Sequence, residues 1–212
     1  MADLTAIDVL VTPDDSMIAF AKTVNARMLQ SVPPPQGFAL DEHHQPHITT
    51  LQRYVRTDSL DDVYAAVAGV IATVDVPSLT FDTVAIKHME VAEGVGLAGI
   101  VVKPGAEVLA FQAQMIAALA PFVASGGTAD AYVRTDAEPD INQPTLTYIE
   151  NYVPEHSGAN FLAHVTVGLC TTDDLTTIEA EHLKDLTFAP AGMAVYQLGN
   201  NGTAARLLHT IL

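Results

Sequence analysis

The sequence predicts an α+β fold with a mostly antiparallel sheet, flanking helices and internal pseudo-symmetry. Three observations carry that prediction. Short alternating segments rich in β-branched residues interleave with longer segments whose apolar residues recur at helical spacing. A strand–helix–strand–strand order occurs twice along the chain. A His-x-Thr tripeptide lies in the strand heading each block, at 47–49 and at 164–166.

Each element has its own justification. Residues 4–12, LTAIDVLVT, alternate and read as the first strand. PDDSMIAFAKTVNARMLQS follows, with an Asp/Ser start and helical apolar spacing, and VPPPQGF breaks it into a loop. A strand is expected over about 46–55, then a helix over DSLDDVYAAVAGVIATV, whose first turn is acidic. Strands near 78–91 and 95–103 flank EGVG, and residues 105–123 form an apolar helix. From 124 to 159 the periodicity dissolves, and 145–153 suits either helix or strand. A connection of that length is either functional, as a lid is, or a surface excursion. NFLAHVTVGLC then reads as a strand and TTDDLTTIEAEHLKDL as a capped helix. Two closing strands, about 186–198 and 203–211, are joined by the hairpin signal GNNG.

Composition narrows the function classes. The chain has 212 residues, 49% of them hydrophobic, which is ample for a packed core and excludes a disordered segment. No apolar run approaches the ~18 residues of a membrane helix. The N-terminus MADLTAIDVLVTP has no basic segment followed by an apolar one, so a cytoplasmic protein is favoured, with prior removal of a leader left open. Nine Lys+Arg against 25 Asp+Glu give a net charge of −16. A protein gripping a long nucleic acid needs a basic stripe, and none is visible. An anionic ligand is therefore expected to be small and held in a local pocket. The lone cysteine, Cys170, ends an apolar run and reads as a buried thiol.

The two tripeptides carry the chemistry. With eight His and 21 Thr, His-x-Thr arises by chance about 0.8 times, so the count alone says little. Context discriminates: each has a β-branched residue in the middle, Ile48 or Val165, and each strand leads into a helix with an acidic start. In a strand, His47 and Thr49 share one face, as do His164 and Thr166, with Ile48, Val165, Val167 and Leu169 behind. Gly168 continues the His164 face and leaves room for a ligand. Two imidazoles with pKa values near 6.5 can divide the base and acid roles, and two hydroxyls can hold phosphate oxygens. Phosphoryl chemistry depends mainly on such positioning and charge stabilisation. Opening of a cyclic phosphodiester, or a related ester transfer, fits this arrangement.

PHITTLQ and AHVTVGL, on strands more than a hundred residues apart, resemble the two His-x-Thr motifs of the 2H phosphoesterase superfamily, which includes 2′-5′ RNA ligase-like and cyclic nucleotide phosphodiesterase proteins. The resemblance covers most of the chain, including the closing AVYQLGNNGTAARLLHTIL. It implies one bilobal domain over 1–212 with pseudo-two-fold symmetry around a central cleft, and metal-independent action without a cofactor. It implies catalysis by His47 and His164, with phosphate held by Thr49 and Thr166. It implies hydrolysis of a cyclic phosphate or of a 2′-5′ linkage, and which of these bonds is cut does not transfer with a fold. Two positions depart from the pattern: Thr50 stands where a hydrophobic residue follows the Thr, and Ala163 where Pro often precedes the His.

Other residues are candidates of lower specificity. Arg53, Tyr54, Lys103, Tyr132 and Arg134 are available for phosphate or ribose contacts, and each also suits a solvated surface. Phe161 and Tyr196 can stack on a base, and equally suit a core. DEHHQPH at 41–47 gathers three His and two carboxylates, but Pro46 blocks helical ligand spacing, so a solvated loop with His43 and His44 exposed is expected and no metal site. HSGAN lacks a nucleophile elbow and reads as a turn. The expected ligand is a small nucleotide or a terminal phosphodiester of RNA, bound by a monomer, with neither long nucleic acid nor membrane as partner. A module that binds such an end without turnover is the competing reading; the acidic balance disfavours an RNA ligase proper.

Overall fold

The structure is a computed structural model and describes residues 3–31, 37–181 and 185–212. Most of the expected VPPPQGF loop, and part of the helix end expected near 186, lie outside the described residues. Eight strands form one sheet: β1 (Leu4–Pro13), β2 (Ile48–Arg56), β3 (Phe81–Ala92), β4 (Val95–Pro104), β5 (His164–Thr171), β6 (Thr187–Phe188), β7 (Pro190–Leu198) and β8 (Ala204–Thr210). Five α-helices accompany them: α1 (Asp15–Met28), α2 (Leu60–Ile71), α3 (Ala106–Leu119), α4 (Gln143–His156) and α5 (Thr172–Ala180). No helix among the described residues is long and apolar enough to cross a membrane.

Local chemistry accounts for the helix starts. The Asp14 carboxylate accepts from the Ser16 and Met17 amides at 3.1 Å each, and Thr171 accepts from Asp174 N at 3.2 Å. The segment left ambiguous at 145–153 is helical. Asn142 caps it, accepting from Thr145 N at 2.8 Å, and Pro144 stands in its first turn. The β7–β8 hairpin forms as GNNG predicts, with Asn201 and Gly202 at φ of 57° and 70°.

The strand order is β6-β3-β4-β5-β2-β1-β7-β8, and every pairing is antiparallel. Two four-stranded halves meet at the centre through a single residue pair, Ile48 with Val165. The single strand expected over 186–198 is two strands. Residues 187–188 pair with β3 in one half, and 190–198 pair with β1 in the other. Six strand spacings separate β6 from β7 in that order, about 29 Å in a flat sheet, whereas two consecutive residue steps span at most about 7 Å. The sheet must therefore curve back on itself. Ala189 is the junction: its carbonyl accepts from Asp14 N at 3.1 Å, which ties it to the start of α1.

The two faces of the sheet have different cover. Ile7, Val9, Ile48, Val55, Val165 and Val167 join one hydrophobic cluster with Met17, Val24 and Met28 of α1, Val63 and Val67 of α2, Phe111 and Met115 of α3, and Leu175 of α5. Cys170 is buried in that cluster, as expected of an inert thiol. On the other face α4 lies against β2, and a second cluster gathers Ala6, Tyr54, Tyr132, Ile149 and Leu198. The long 124–159 connection is thus a wall of the fold.

Candidate active site

Each His-x-Thr segment ends in a β-bulge, and both bulges fall at the same motif position. Val9 pairs with Leu51 but Leu10 with Thr49, so Thr50 is the extra residue of β2. Ala98 pairs with Gly168 but Gly99 with Thr166, so Val167 is the extra residue of β5. A bulge resets the alternation of side chains. His47, Thr49 and Gln52 line one cavity, together with His164, Thr166 and Leu169 from the other half. Gly168 therefore does not continue the His164 face. It has φ 129°, and a Cβ there would stand 2.9 Å from Asn25 Nδ2 of α1. For the same reason Leu169 faces the cavity and not the helices. Thr50 turns its side chain away from the cavity, and its Oγ1 donates to Val9 O at 2.5 Å, which satisfies the polar group where the motif expects an apolar one.

A buried amide supports each bulge. Gln112 Nε2 of α3 donates to Thr50 O at 3.1 Å, and its Oε1 accepts from Gly158 N at 2.9 Å. Asn25 Nδ2 of α1 donates to Val167 O at 2.8 Å and to Phe38 O at 2.9 Å, while its Oδ1 accepts from Leu40 N at 3.1 Å. The pseudo-symmetry therefore extends beyond the motifs to the groups that hold them.

The imidazoles are anchored alike. His47 Nδ1 lies 2.6 Å from Gln45 O, and His164 Nδ1 lies 2.8 Å from Leu162 O, each two residues upstream. A carbonyl only accepts, so Nδ1 carries the proton on both rings and Nε2 is left for other partners. Gly99 lets His164 lie close over β4, since a Cβ there would come within 3.1 Å of His164 Cδ2.

The surroundings of the two rings differ. Asp8 of β1 is fully buried beneath the first motif. Its Oδ2 accepts from Thr49 Oγ1 at 2.6 Å and Gln52 Nε2 at 2.8 Å, and lies 3.3 Å from His47 Nε2. Burial opposes charge on His47, but the Asp8 carboxylate and, less strongly, the Gln45 carbonyl together outweigh it and raise the pKa above the ordinary 6.5. Burial lowers the pKa of His164 below 6.5; the Leu162 carbonyl opposes that shift and the nearby His47 adds to it. Thr166 Oγ1 has no hydrogen-bond partner among the described residues.

The cavity measures about 1170 Å³, roomy beside the ~300–1,000 Å³ typical of small-molecule sites. Phe161 lines it, as do the α4 side chains Tyr148, Tyr152 and His156; Tyr148 stacks on His156 with ring centroids 4.2 Å apart. Burial, aided by the Asp8 charge, pushes the Tyr148 hydroxyl up to about 12, so it stays neutral.

Six of the seven candidates for ligand contacts, all but Phe161, lie outside this cavity's lining. Tyr54 is buried with its hydroxyl 2.5 Å from that of Tyr132, which is equally enclosed. Strand alternation turns Arg53 to the opposite side from Gln52 and Tyr54. Arg134 is exposed and pairs with Asp130 at 3.1 Å. Lys103 and Tyr196 also lie outside the cavity lining. His44, expected in solvent, is buried between Asp41 Oδ1 (2.9 Å) and Glu138 Oε2 (3.0 Å) and stacks on Phe38. Among the described residues, no group of three or more His, Cys, Asp or Glu side chains is arranged to hold a metal ion.

The motif search missed Asp8, Gln52, Asn25, Gln112, Tyr148 and His156. Some had a local signal. Asp8 interrupts the apolar strand AIDVLV, Asn25 and Gln112 interrupt apolar helix stripes, and Tyr148, Tyr152 and His156 recur every four residues.

A crystal structure of E. coli LigT in apo form has a similar fold, with a TM-score of 0.50 at 11% sequence identity over 99% of this chain and 97% of that chain. At that identity the likeness speaks for the fold alone. No family model and no curated protein sequence matches the chain.

Proposed function

We propose that the chain is a phosphodiesterase of 2H type that opens a small cyclic phosphodiester by acid–base catalysis between His47 and His164. One observation carries the reading. Two strands bearing the same His-x-Thr-bulge unit meet at Ile48–Val165, and both rings are fixed through Nδ1, with His164 Nε2 left open to the cavity and His47 Nε2 beside the Asp8 carboxylate. The antiparallel register places His47 across from Thr166 and Thr49 across from His164. The fold shared with LigT is one that accommodates this reading.

The unequal pKa shifts assign the roles. His164, held neutral, takes a proton from water as the oxygen attacks phosphorus. His47, held protonated, gives its proton to the departing ribose oxygen as the ring P–O bond breaks. The product is a phosphomonoester. Thr166 is free to donate to a non-bridging oxygen, and the aromatic side of the cavity suits a base. A wild-type chain assayed in EDTA with 2′,3′-cyclic nucleotides should turn over, with a bell-shaped pH profile. The acid limb, from protonation of His164, falls below pH 6.5 and the alkaline limb, from loss of the His47 proton, falls above it. Measurable binding with no turnover of any cyclic nucleotide would establish the binding-module reading instead.

The charge of the lining favours a small, singly charged substrate. Among the described residues Asp41, Glu90, Glu138 and Asp140 line the cavity with no arginine, and the one lysine of that lining, Lys87, pairs with Glu179. An added 5′-phosphate on the cyclic mononucleotide should lower kcat/KM by about tenfold at low salt and less at high salt. Equal or better use of the 5′-phosphorylated substrate would place a cationic contact that the lining lacks.

A further inference from the structure

The two halves share the His, the Thr, the bulge, the carbonyl anchor and the buried amide. They differ beneath the threonine. In the first half Asp8 pairs across the strands with Gln52. At the equivalent place in the second half Leu97 pairs with Leu169, and both line the cavity. A charge has thus been buried in one half where the other has a hydrocarbon. Among the described residues its Oδ1 has no partner, and the compensation they provide comes from the donors on Oδ2: Thr49, Gln52 and the neighbouring His47 ring. A buried carboxylate is unfavourable unless such groups balance it.

We propose that Asp8 is a positioning residue that makes the two histidines unequal: its carboxylate orients His47 and Thr49, holds His47 as the proton donor, and opposes the incoming anion. The inference rests on the two-histidine reading above. The Thr49 proton points to Asp8, so this hydroxyl presents lone pairs to a ligand and anion binding falls to His47 and Thr166. The site is therefore built for an acid on one side at the expense of affinity for phosphate. Other titratable groups that line the cavity with the ring are His164 of β5, which interacts with it electrostatically, and, from α4, Tyr148, Tyr152 and His156. Both tyrosine hydroxyls are held neutral by burial, so Asp8 is the carboxylate that acts on His47 at contact distance. Asp41, Glu90 and Asp140 are exposed, and Glu138 is engaged with His44.

Asp8→Asn keeps an acceptor for Thr49 and Gln52 and removes the charge. Asp8→Leu copies the second half. In the full chain, checked for an unchanged fold by circular dichroism, three readouts apply: the NMR titration of the His47 ring, the pH profile of 2′,3′-cyclic nucleotide turnover, and inhibition by inorganic phosphate. Asp8→Asn should lower the His47 midpoint by about one unit, move the alkaline limb of turnover down with it, and bind phosphate several-fold tighter at pH 5.5. Asp8→Leu should do the same with a larger loss of turnover. A His47 midpoint and an alkaline limb that stay in place in an active Asp8→Asn variant would overturn the role of Asp8, as would weaker phosphate binding. A wild type without turnover whose His47 midpoint still moves on substitution fails the phosphodiesterase reading and retains the hold of Asp8 on His47.

Discussion

Alanine at either His47 or His164 is expected to lower turnover of a 2′,3′-cyclic nucleotide by about 10²–10⁴-fold, the range for loss of one general acid or base. Groups that work as a unit are not additive, so the double variant should be little worse than the more damaged single one. The two variants should also differ in kind. An ester with a p-nitrophenolate leaving group departs without protonation, so it should restore much of the activity of His47→Ala. It should leave His164→Ala crippled, because the attacking water still needs a base. Melting curves separate these effects from unfolding. His47→Ala leaves Asp8 with one neighbour fewer, whereas the half-buried His164 ring gives up only its contact with Leu162 O. Rescue of His164→Ala and not of His47→Ala would reverse the assigned roles. Near-wild-type rates in both variants would remove the mechanism altogether.

The largest stability effects are expected away from the histidines, at the two amides. Asn25→Ala strands Phe38 O, Val167 O and Leu40 N, all of which Asn25 now serves. Each buried polar group left unpaired costs about 1–3 kcal/mol. Allowing for local relaxation, about 3–5 kcal/mol should be lost, on the order of 10 °C in Tm for a domain of this size. Gln112→Ala strands Thr50 O and Gly158 N and should lose somewhat less. Because each amide holds a bulge, turnover of the folded fraction should fall as well. A thermal melt of Asn25→Ala within about 2 °C of wild type would show that the bulge stands without its amide.

Much of this architecture was legible locally. The caps at Asp14 and Thr171, the GNNG turn and the two motif strands each follow from groups within a few residues, and those elements formed where expected. The errors have one origin. Residues 186–198 carry an uninterrupted strand pattern, yet Phe188 joins β3 and Pro190 joins β1, because partner strands set where pairing stops. Gly168 and Leu169 were assigned to the wrong faces because strict alternation assumes a regular ladder, and Val167 interrupts it. His44 lies in a loop as expected but is buried, which nearby residues do not signal because its partner Glu138 lies 94 positions away.

By itself the sequence determined the α+β class, the identity of the two His-x-Thr segments and the acidic net charge of −16. Periodicity, capping and net charge are local or additive, and they need no knowledge of what packs against what. Only the tertiary structure decided that both motifs end in matched bulges, that Asn25 and Gln112 hold them, and that Asp8 lies under one histidine while Leu97 takes its place under the other. Those facts depend on register between strands far apart in the chain. Register fixes which side chains face one another, and that decided how two equal histidines came to have unequal surroundings.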